Sequence, residues 1–551
     1  MTGPADDLRV VAFPTNVPTT GAFLTHLVDA YADSVLAHAP NGTLTYAEAD
    51  DRSRSLAKGL VARGVGKGTR VGLLAPNGLE WIIGWLATTR IGAICVPVNT
   101  YLKPRELDRL LLHADVDTLL SVDSHLANDY VERLELAIPG LADRSGTPRR
   151  RPSHPYLREI WMWGDVHRPW AGSIDDLVAA GEDIDDEIVD VIEAQVSPAD
   201  AMVIVYSSGS TSDPKGAVHT HGSVIRHAHN LWQFRDIRPG DAIYSPMPLF
   251  WVGGLTFTLL GAMHAGATAI FEDRFEPATT LELLERTRCT HILGWPHMVK
   301  ALTDHPDFAG RDLSSIRAVG QRTVGAGFTI ADLEHVPASL GMTETLGPHT
   351  LEMEGALLPP DKIGSFGRAV PGVEHRIIDP ETAVDCERGV PGELLVRGYS
   401  LMQGLNKTER EATFTRDGWY RTGDSAYLDD DNNLFYRGRL GDTIKAAGVN
   451  VSPREVEIAL EAHDEVTMAF VVGVTRGDGE TQVAAVVILT PGQHIDPTDL
   501  LGRVRSEVAN YMVPRHLMVV EDRNDLPWLE SGKLDRRATH QLLQERFGDA
   551  R

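Results

Sequence analysis

Residues 202–216 read MVIVYSSGSTSDPKG, an apolar, β-branched run that breaks into hydroxyls, two glycines and one lysine. The first part predicts a buried strand and the second a loop at its end. A phosphate chain needs that mixture. Glycine lets the backbone approach, hydroxyls and amides donate to phosphate oxygens, and Lys215 supplies a movable positive charge. A Walker A loop is excluded, because Lys215 stands between Pro214 and Gly216 where GxxxxGK[ST] requires glycine before the lysine and Ser or Thr after it. By itself the segment reads equally as a Gly/Ser/Pro surface loop, so its surroundings must decide.

Upstream, helix and strand patterns alternate. Thr45 can cap a helix whose Leu56, Ala57, Leu60 and Val61 share one face, with Gly64 suited to its stop. A strand from Arg70 to Ala75, a helix from Leu79 to Thr89, a strand through Ile94 to Val98, a helix opened by Pro104 and a strand over Thr118 to Val122 follow. Such alternation predicts a doubly wound parallel sheet. Between Ser124 and Pro198 the periodicity fades into a basic piece (144–152) and an acidic one (181–195), predicted as a surface excursion. A second α/β stretch runs from Ala201 to about Thr345, then a Gly-, Pro- and Val-rich region of short strands to about Tyr436. After Gly438 the register changes. A helix over Ser452 to Ala462, strands over Val466 to Gly473 and Gln482 to Leu489, and a helix over Pro497 to Ala509 predict a separate α+β domain. The expected division is residues 1–438 and 439–551.

Composition narrows the function classes. A length of 551 residues allows three or four structural units and a cleft between them, and 42% hydrophobic residues exclude wholesale disorder. The net charge of −25 is spread along the chain, leaving no basic stripe for nucleic acid. Cys95, Cys289 and Cys386 lie far apart, which argues against a disulfide framework or a thiolate metal site. The start lacks a basic and an apolar leader segment, and Arg90 interrupts the most apolar stretch. The expectation is a cytoplasmic monomer or homodimer with no transmembrane segment.

The segment SSGSTSDPKG (207–216) resembles the phosphate-binding signature of the adenylate-forming superfamily, which includes acyl-CoA synthetases, peptide-synthetase adenylation domains and luciferases. Other family motifs follow in order: PMPLFWVGGL (246–255), GMTET (341–345), GSFGRAVPGVEHRIID (364–379), GELLVRG (392–398), DGWYRTGD (417–424), YRGRLGDTIKAAGVNVSPREVE (436–457) and SGKLDRR (531–537). LTYAEADDRSRSLAKGL (44–60) and GVGKGTRVGLLAPN (64–77) are similar to its N-terminal segments, so nearly the whole chain is covered.

The resemblance implies a large N-terminal part of doubly wound sheets with a short-stranded β subdomain, and a small mobile α+β C-terminal domain. It implies two steps. A carboxylate attacks the α-phosphorus of Mg-ATP and expels pyrophosphate; a thiol then attacks the mixed anhydride and releases AMP. The carboxylate is already a nucleophile, so catalysis rests on alignment and charge neutralisation. Carried onto this chain, Ser207, Ser208, Gly209, Ser210, Thr211 and Lys215 cradle the β- and γ-phosphates, Thr343 meets the α-phosphate and Glu344 holds Mg²⁺. Asp424 accepts both ribose hydroxyls, Arg439 lies near ribose and phosphates, and Lys533 reaches the α-phosphate and the substrate carboxylate. Gly441 is the hinge about which the C-terminal domain turns, and Gly448 lines the pantetheine tunnel of coenzyme A. The acyl pocket falls on Phe250, Trp251, Gly253, Gly320, Leu340 and Gly341. Taken singly, Asp424 is equally a turn residue, Lys533 a solvated lysine and Trp251 a core aromatic; the ordered motifs reverse the first two readings and leave Trp251 open.

Four departures from the family pattern stand out. Ser212 replaces a glycine, Leu340 an aromatic and Gly441 an Asp or Lys, and the stretch between Gly320 and Gly341 is short. The neighbourhood of Phe250, Trp251, Val252 and Leu255 offers no carboxylate for an α-ammonium, so an amino acid is disfavoured as substrate. Fatty, alicyclic or steroid side-chain acids are favoured over aryl acids. No carrier domain follows in the sequence given, so free coenzyme A is the expected acceptor. The alternatives are an enzyme that loads a separate carrier protein and a degenerate homologue that binds nucleotide or acyl ligand without turnover.

Overall fold

Thr45 caps the helix Tyr46–Ala62 as its sequence predicts, its side chain accepting from Glu48 N while Glu48 returns to Thr45 N at 2.8 Å. That helix packs against Leu79–Arg90, and both cover a sheet. The computed structural model of the protein describes residues 13, 16–142, 152–207, 214–294, 296–320, 322–323, 335–442, 444–446, 449–477, 480–508, 510–529 and 534–548. Its strands fall into two large sheets and several small ones.

The first sheet runs in the order Gly404–Leu405, Lys215–Thr220, Ala201–Ser207, Ile94–Pro97, Arg70–Leu74, Thr118–Val122, Glu159–Trp163 and Gly172–Ser173. Pairings from Ala201–Ser207 to Gly172–Ser173 are parallel, and the two at the opposite edge are antiparallel. The second sheet orders Arg322–Thr323, Ala318–Val319, His291–Ile292, Ala242–Tyr244, Thr268–Ile270, Val35–Ala39 and Gly42–Thr45, again parallel at its centre with antiparallel edges. Helices on both faces leave the central strands buried, which is why they read as continuous apolar runs.

One expectation fails. The stretch 124–198 is not a plain surface excursion, since Glu159–Trp163 extends the first sheet beside Thr118–Val122 with Ile160, Trp161 and Met162 buried. Five residues are too few for a periodic signal, and a strand buried on both faces has no alternation to display. The helix Asp186–Ala194 carries most of the acidic piece, and the basic piece earlier in the chain lies largely outside the described residues.

The chain divides into two compact units, residues 1–374 with 397–418 and residues 375–396 with 419–551. The second contains most of a four-stranded sheet, Val373–Ile378, Gly392–Gly398, Tyr420–Leu428 and Leu434–Arg439. It also contains a three-stranded sheet, Val466–Thr475, Thr481–Leu489 and His516–Val520, against the helices Pro453–Glu461, Pro497–Glu507 and Arg536–Phe547. Ser452 caps the first of these helices, and Val456, Leu460, Val471, Val487, Leu500 and Val504 share one core. The class is the expected one: a large α/β N-terminal part with mixed sheets and a small α+β C-terminal domain. Among the described residues no helix is long and apolar enough to cross a membrane.

Candidate active site

On either side of residues 208–213 the strands pair antiparallel, Ser207 with Lys215 and Tyr206 with Gly216. Lys215 is exposed at the start of its strand. Gly216 answers to packing, since a Cβ there would lie 2.7 Å from Ile204 Cγ2. Ser208, Gly209, Ser210, Thr211 and Ser212 lie outside the described residues, as do Gly448 and Lys533.

Along the same strand, His219 is fully buried and its Nε2 lies 2.8 Å from the carbonyl oxygen of Thr343. Burial pushes its pKa down to about 4, so the ring is neutral and Nε2 carries the proton donated to that carbonyl. Thr343 and Glu344 sit in a 3₁₀ turn, Thr343–Thr345, between the short strands Gly341–Met342 and Gly347–Pro348. Leu346 closes the turn in the left-handed region at φ 61°, its N–H donating to Thr343 O at 3.1 Å. Met402 N donates to Glu344 O at 2.8 Å, and Thr345 Oγ1 donates to Gly347 O at 2.8 Å. Gly341 must be glycine: a Cβ would fall 2.6 Å from the carbonyl carbon of Gly347. Leu340, half-buried, continues this hairpin, its N–H donating to Thr350 Oγ1 at 2.8 Å. Thus Lys215, Thr343 and Glu344, remote in sequence, are joined through one strand.

Of the residues expected to line an acyl pocket, Phe250 is buried and meets Tyr101 and Trp251 edge-on at centroid distances of 5.8 and 5.5 Å. Trp251 is half-buried. Gly253 opens a π-helix, Gly253–Leu259, a rare form that recurs at functional sites. The adjoining Gly254 is required, because a Cβ would sit 2.1 Å from Pro248 O. Asn77 braces this loop by donating to Met247 O at 3.0 Å and accepting from Leu249 N at 2.7 Å. Gly320, in the left-handed region at φ 63°, accepts from the Arg235 guanidinium, which lies over the Phe257 ring at 4.8 Å and 3.7 Å from Glu354. Burial lowers the Arg235 pKa to about 10 and raises that of Glu354.

In the second unit, Asp424 is buried on the strand Tyr420–Leu428 and pairs in register with Arg439. Arg439 Nε lies 3.0 Å from Asp424 Oδ1, and Nη1 donates to Thr422 O at 2.8 Å. Gly423, at φ 72°, supplies the left-handed turn before the aspartate. Arg439 and Asp442 border a cavity of about 320 Å³ together with Arg454, Glu457 and Arg536. Glu457 is buried, accepts from Val471 N at 3.2 Å, and faces Arg454 at 3.2 Å and Arg536 at 3.6 Å. Gly441 is exposed, and a Cβ there would meet nothing within 4 Å.

His219, Asn77, Arg235 and the π-helix were not singled out by sequence reasoning. His219 carried one usable signal, its place on the strand face shared by Lys215 and Ala217. The others had none short of the folded chain.

Two family descriptions match: AMP-binding enzyme over residues 24–405 and AMP-binding enzyme C-terminal domain over residues 455–533. The chain is 30% identical to YngI of Bacillus subtilis, named for acyl-CoA synthetase activity, over 96% of this chain and 98% of that protein. It is 32% identical to a feruloyl-CoA synthase of Amycolatopsis sp., covering 89% and 92% of the two chains. Among solved structures, ATP-bound MatB from Rhodopseudomonas palustris superposes with a TM-score of 0.77 at 25% identity, covering 96% of this chain and all of that one. With both family regions matched in order and the Thr343–Glu344 turn tied to the strand that Lys215 opens, the chain belongs to the AMP-binding family of adenylate-forming enzymes.

Proposed function

We propose that this ATP-binding enzyme, an AMP-forming acid–CoA ligase, acts on an apolar carboxylic acid, fatty or alicyclic, steroid side-chain acids included. The single observation that supports the substrate reading is the aromatic cluster of Phe250, buried edge-on against Tyr101 and Trp251, in the segment where the resemblance puts the carboxylate partner of an amino-acid substrate. The acid's carboxylate oxygen bonds to the α-phosphorus, the bridging P–O bond breaks and pyrophosphate leaves. The thiol sulfur of coenzyme A then bonds to the acyl carbon and AMP leaves.

In this reading Ser207, Ser208, Gly209, Ser210, Thr211 and Lys215 hold the β- and γ-phosphates, and Thr343 donates to the α-phosphate. Glu344 suits Mg²⁺ because it is a carboxylate on a turn whose flanking carbonyls are both hydrogen-bonded. A single carboxylate suits an ion completed by phosphate oxygens and water. When bound, the ion neutralises phosphate charge. Asp424, kept in place by Arg439, accepts the ribose hydroxyls. Lys533 stabilises charge at the α-phosphate, and the segment 439–551 turns about Gly441 to expose a thiol path beside Gly448.

The test is pyrophosphate release with Mg-ATP across straight-chain, alicyclic, aryl and dicarboxylic acids, with and without coenzyme A, for the native protein and Lys533→Ala. Release that depends on an apolar acid, yields its acyl-CoA and falls roughly 100- to 1000-fold in the variant supports the reading. Selective turnover of an amino acid or a dicarboxylic acid overturns the substrate class, and turnover only with a carrier protein overturns the acceptor.

A further inference from the structure

Glu344 sits between two peptide planes, and each is gripped from outside its own turn. The carbonyl of Thr343 receives Leu346 N–H at 3.1 Å and the His219 ring at 2.8 Å, so both of its lone pairs are used. The carbonyl of Glu344 receives Met402 N–H at 2.8 Å. Because each peptide is planar, fixing the two carbonyl directions fixes the backbone torsions of Glu344, and with them the direction in which its side chain leaves.

The outer grips come from one source. Met402 leads into Gly404–Leu405, which pairs antiparallel with the His219-bearing strand through Ala217↔Leu405 and Val218↔Gly404. That strand opens with Lys215. Lys215 and His219 are an even number of residues apart and so leave the strand on the same face, about 13 Å from one another. The His219 ring is fully buried, and its Nδ1 meets no hydrogen-bond partner among the described residues. The Nε2–H of this ring gives the Thr343 carbonyl a second donor beside the Leu346 N–H, from a different strand.

We propose that His219 is a positioning residue for the adenylation half-reaction, its Nε2–H setting the Thr343–Glu344 peptide plane relative to the strand that carries Lys215. This rests on the reading of Thr343 and Glu344 as the phosphate- and Mg²⁺-facing pair. In this proposal His219 acts through the Thr343 carbonyl, transmitting the position of the strand that opens with Lys215 to the turn. Partners that orient a ligating or catalytic group without touching substrate are typically worth 10- to 100-fold in activity or metal affinity.

The test compares His219→Gln, His219→Asn and His219→Leu in the full-length protein. Glutamine can place an amide N–H where Nε2 stands, asparagine is too short to reach it, and leucine fills the volume without a donor. Acid-dependent pyrophosphate release is measured as kcat and as KM for Mg-ATP, with the concentration of Mg²⁺ varied at fixed ATP, and thermal midpoints are recorded alongside. The expected result is a kcat about 10- to 100-fold lower in Asn and Leu, with a raised Mg²⁺ requirement, and recovery to within about threefold of the native value in Gln. If leucine does not fold, the Gln against Asn contrast decides. Equal kcat in Gln and Asn, whether both native or both impaired, overturns the inference while leaving the ligase reading standing. A native protein that releases no pyrophosphate with any acid overturns both.

Discussion

The backbone carbonyls of the Thr343–Thr345 turn and of Gly347 accept from neutral groups: an uncharged imidazole, two backbone N–H donors and the Thr345 hydroxyl. The strand pair that carries Asp424 is held by charge, with Arg439 at 3.0 Å from the carboxylate and, across the neighbouring cavity, Arg454 and Arg536 around the buried Glu457. Under the proposed roles the difference has a reason. The turn faces a polyphosphate and a metal ion, whose fields would compete with any ionic brace, so uncharged hydrogen bonds keep its geometry independent of what is bound. Asp424 faces a neutral sugar, and its arginine partner holds the carboxylate in a fixed direction for that role.

Acid should separate the two regions most strongly. Burial lowers His219, His221 and His291 to about 4 and His227 and His264 to about 3, all in the first unit. In the second unit burial lowers His375 to about 4. An unfolded chain takes up protons near 6.5 that these folded rings refuse, so stability falls as pH drops from about 6.5 and stops falling below the folded values. Unfolding free energies from urea titrations at pH 7 and pH 5 should differ by more than about 2 kcal/mol for the transition of the first unit and by less for the second. Equal losses would remove the contrast.

Asp424→Asn should lower kcat/KM for ATP roughly 100-fold, because two ribose hydroxyls lose a charged acceptor. The same substitution should leave 2′-deoxy-ATP less affected than ATP, and an equal loss with both nucleotides would place the effect elsewhere than the sugar. Glu457→Ala should cost about 2 kcal/mol. The cost comes chiefly from the Val471 N–H left without its acceptor, since Arg454 and Arg536 keep side-chain exposures of 37% and 57% and can turn to water. A loss above about 4 kcal/mol in a urea titration would mean that the ionic system is as closed as the neutral one. Gly441→Ala should change stability by no more than about 0.5 kcal/mol, with a small gain from the stiffer unfolded chain, because its Cβ meets open space. Any slowing it causes should fall on thioester formation and spare pyrophosphate release.

Local sequence foretold local structure well. Thr45 and Ser452 cap helices because a hydroxyl before an amphipathic run can reach the free N–H groups of the first turn whatever surrounds it. The motif at 341–345 was legible as chemistry, and Gly341 as a glycine; the reason for that glycine, a backbone 2.6 Å from where its Cβ would be, was not. Gly216, at the end of the same loop, is required by the packing of Ile204 and Tyr206, which the local sequence does not show. The strand Glu159–Trp163 was missed because a short run buried on both sides carries no period.

The sequence by itself determined the α/β class, the order of the motifs and the residue types available for adenylate chemistry, because helix caps, apolar periods and ligand-type side chains are properties of neighbours in the chain. Only the tertiary structure decided that His219 grips a carbonyl 124 residues away and that Asn77 braces a loop 170 residues away. Contacts of that kind follow from strand register and sheet order, which no window of local sequence encodes, and it is they that turn a set of reactive residues into a site of fixed geometry.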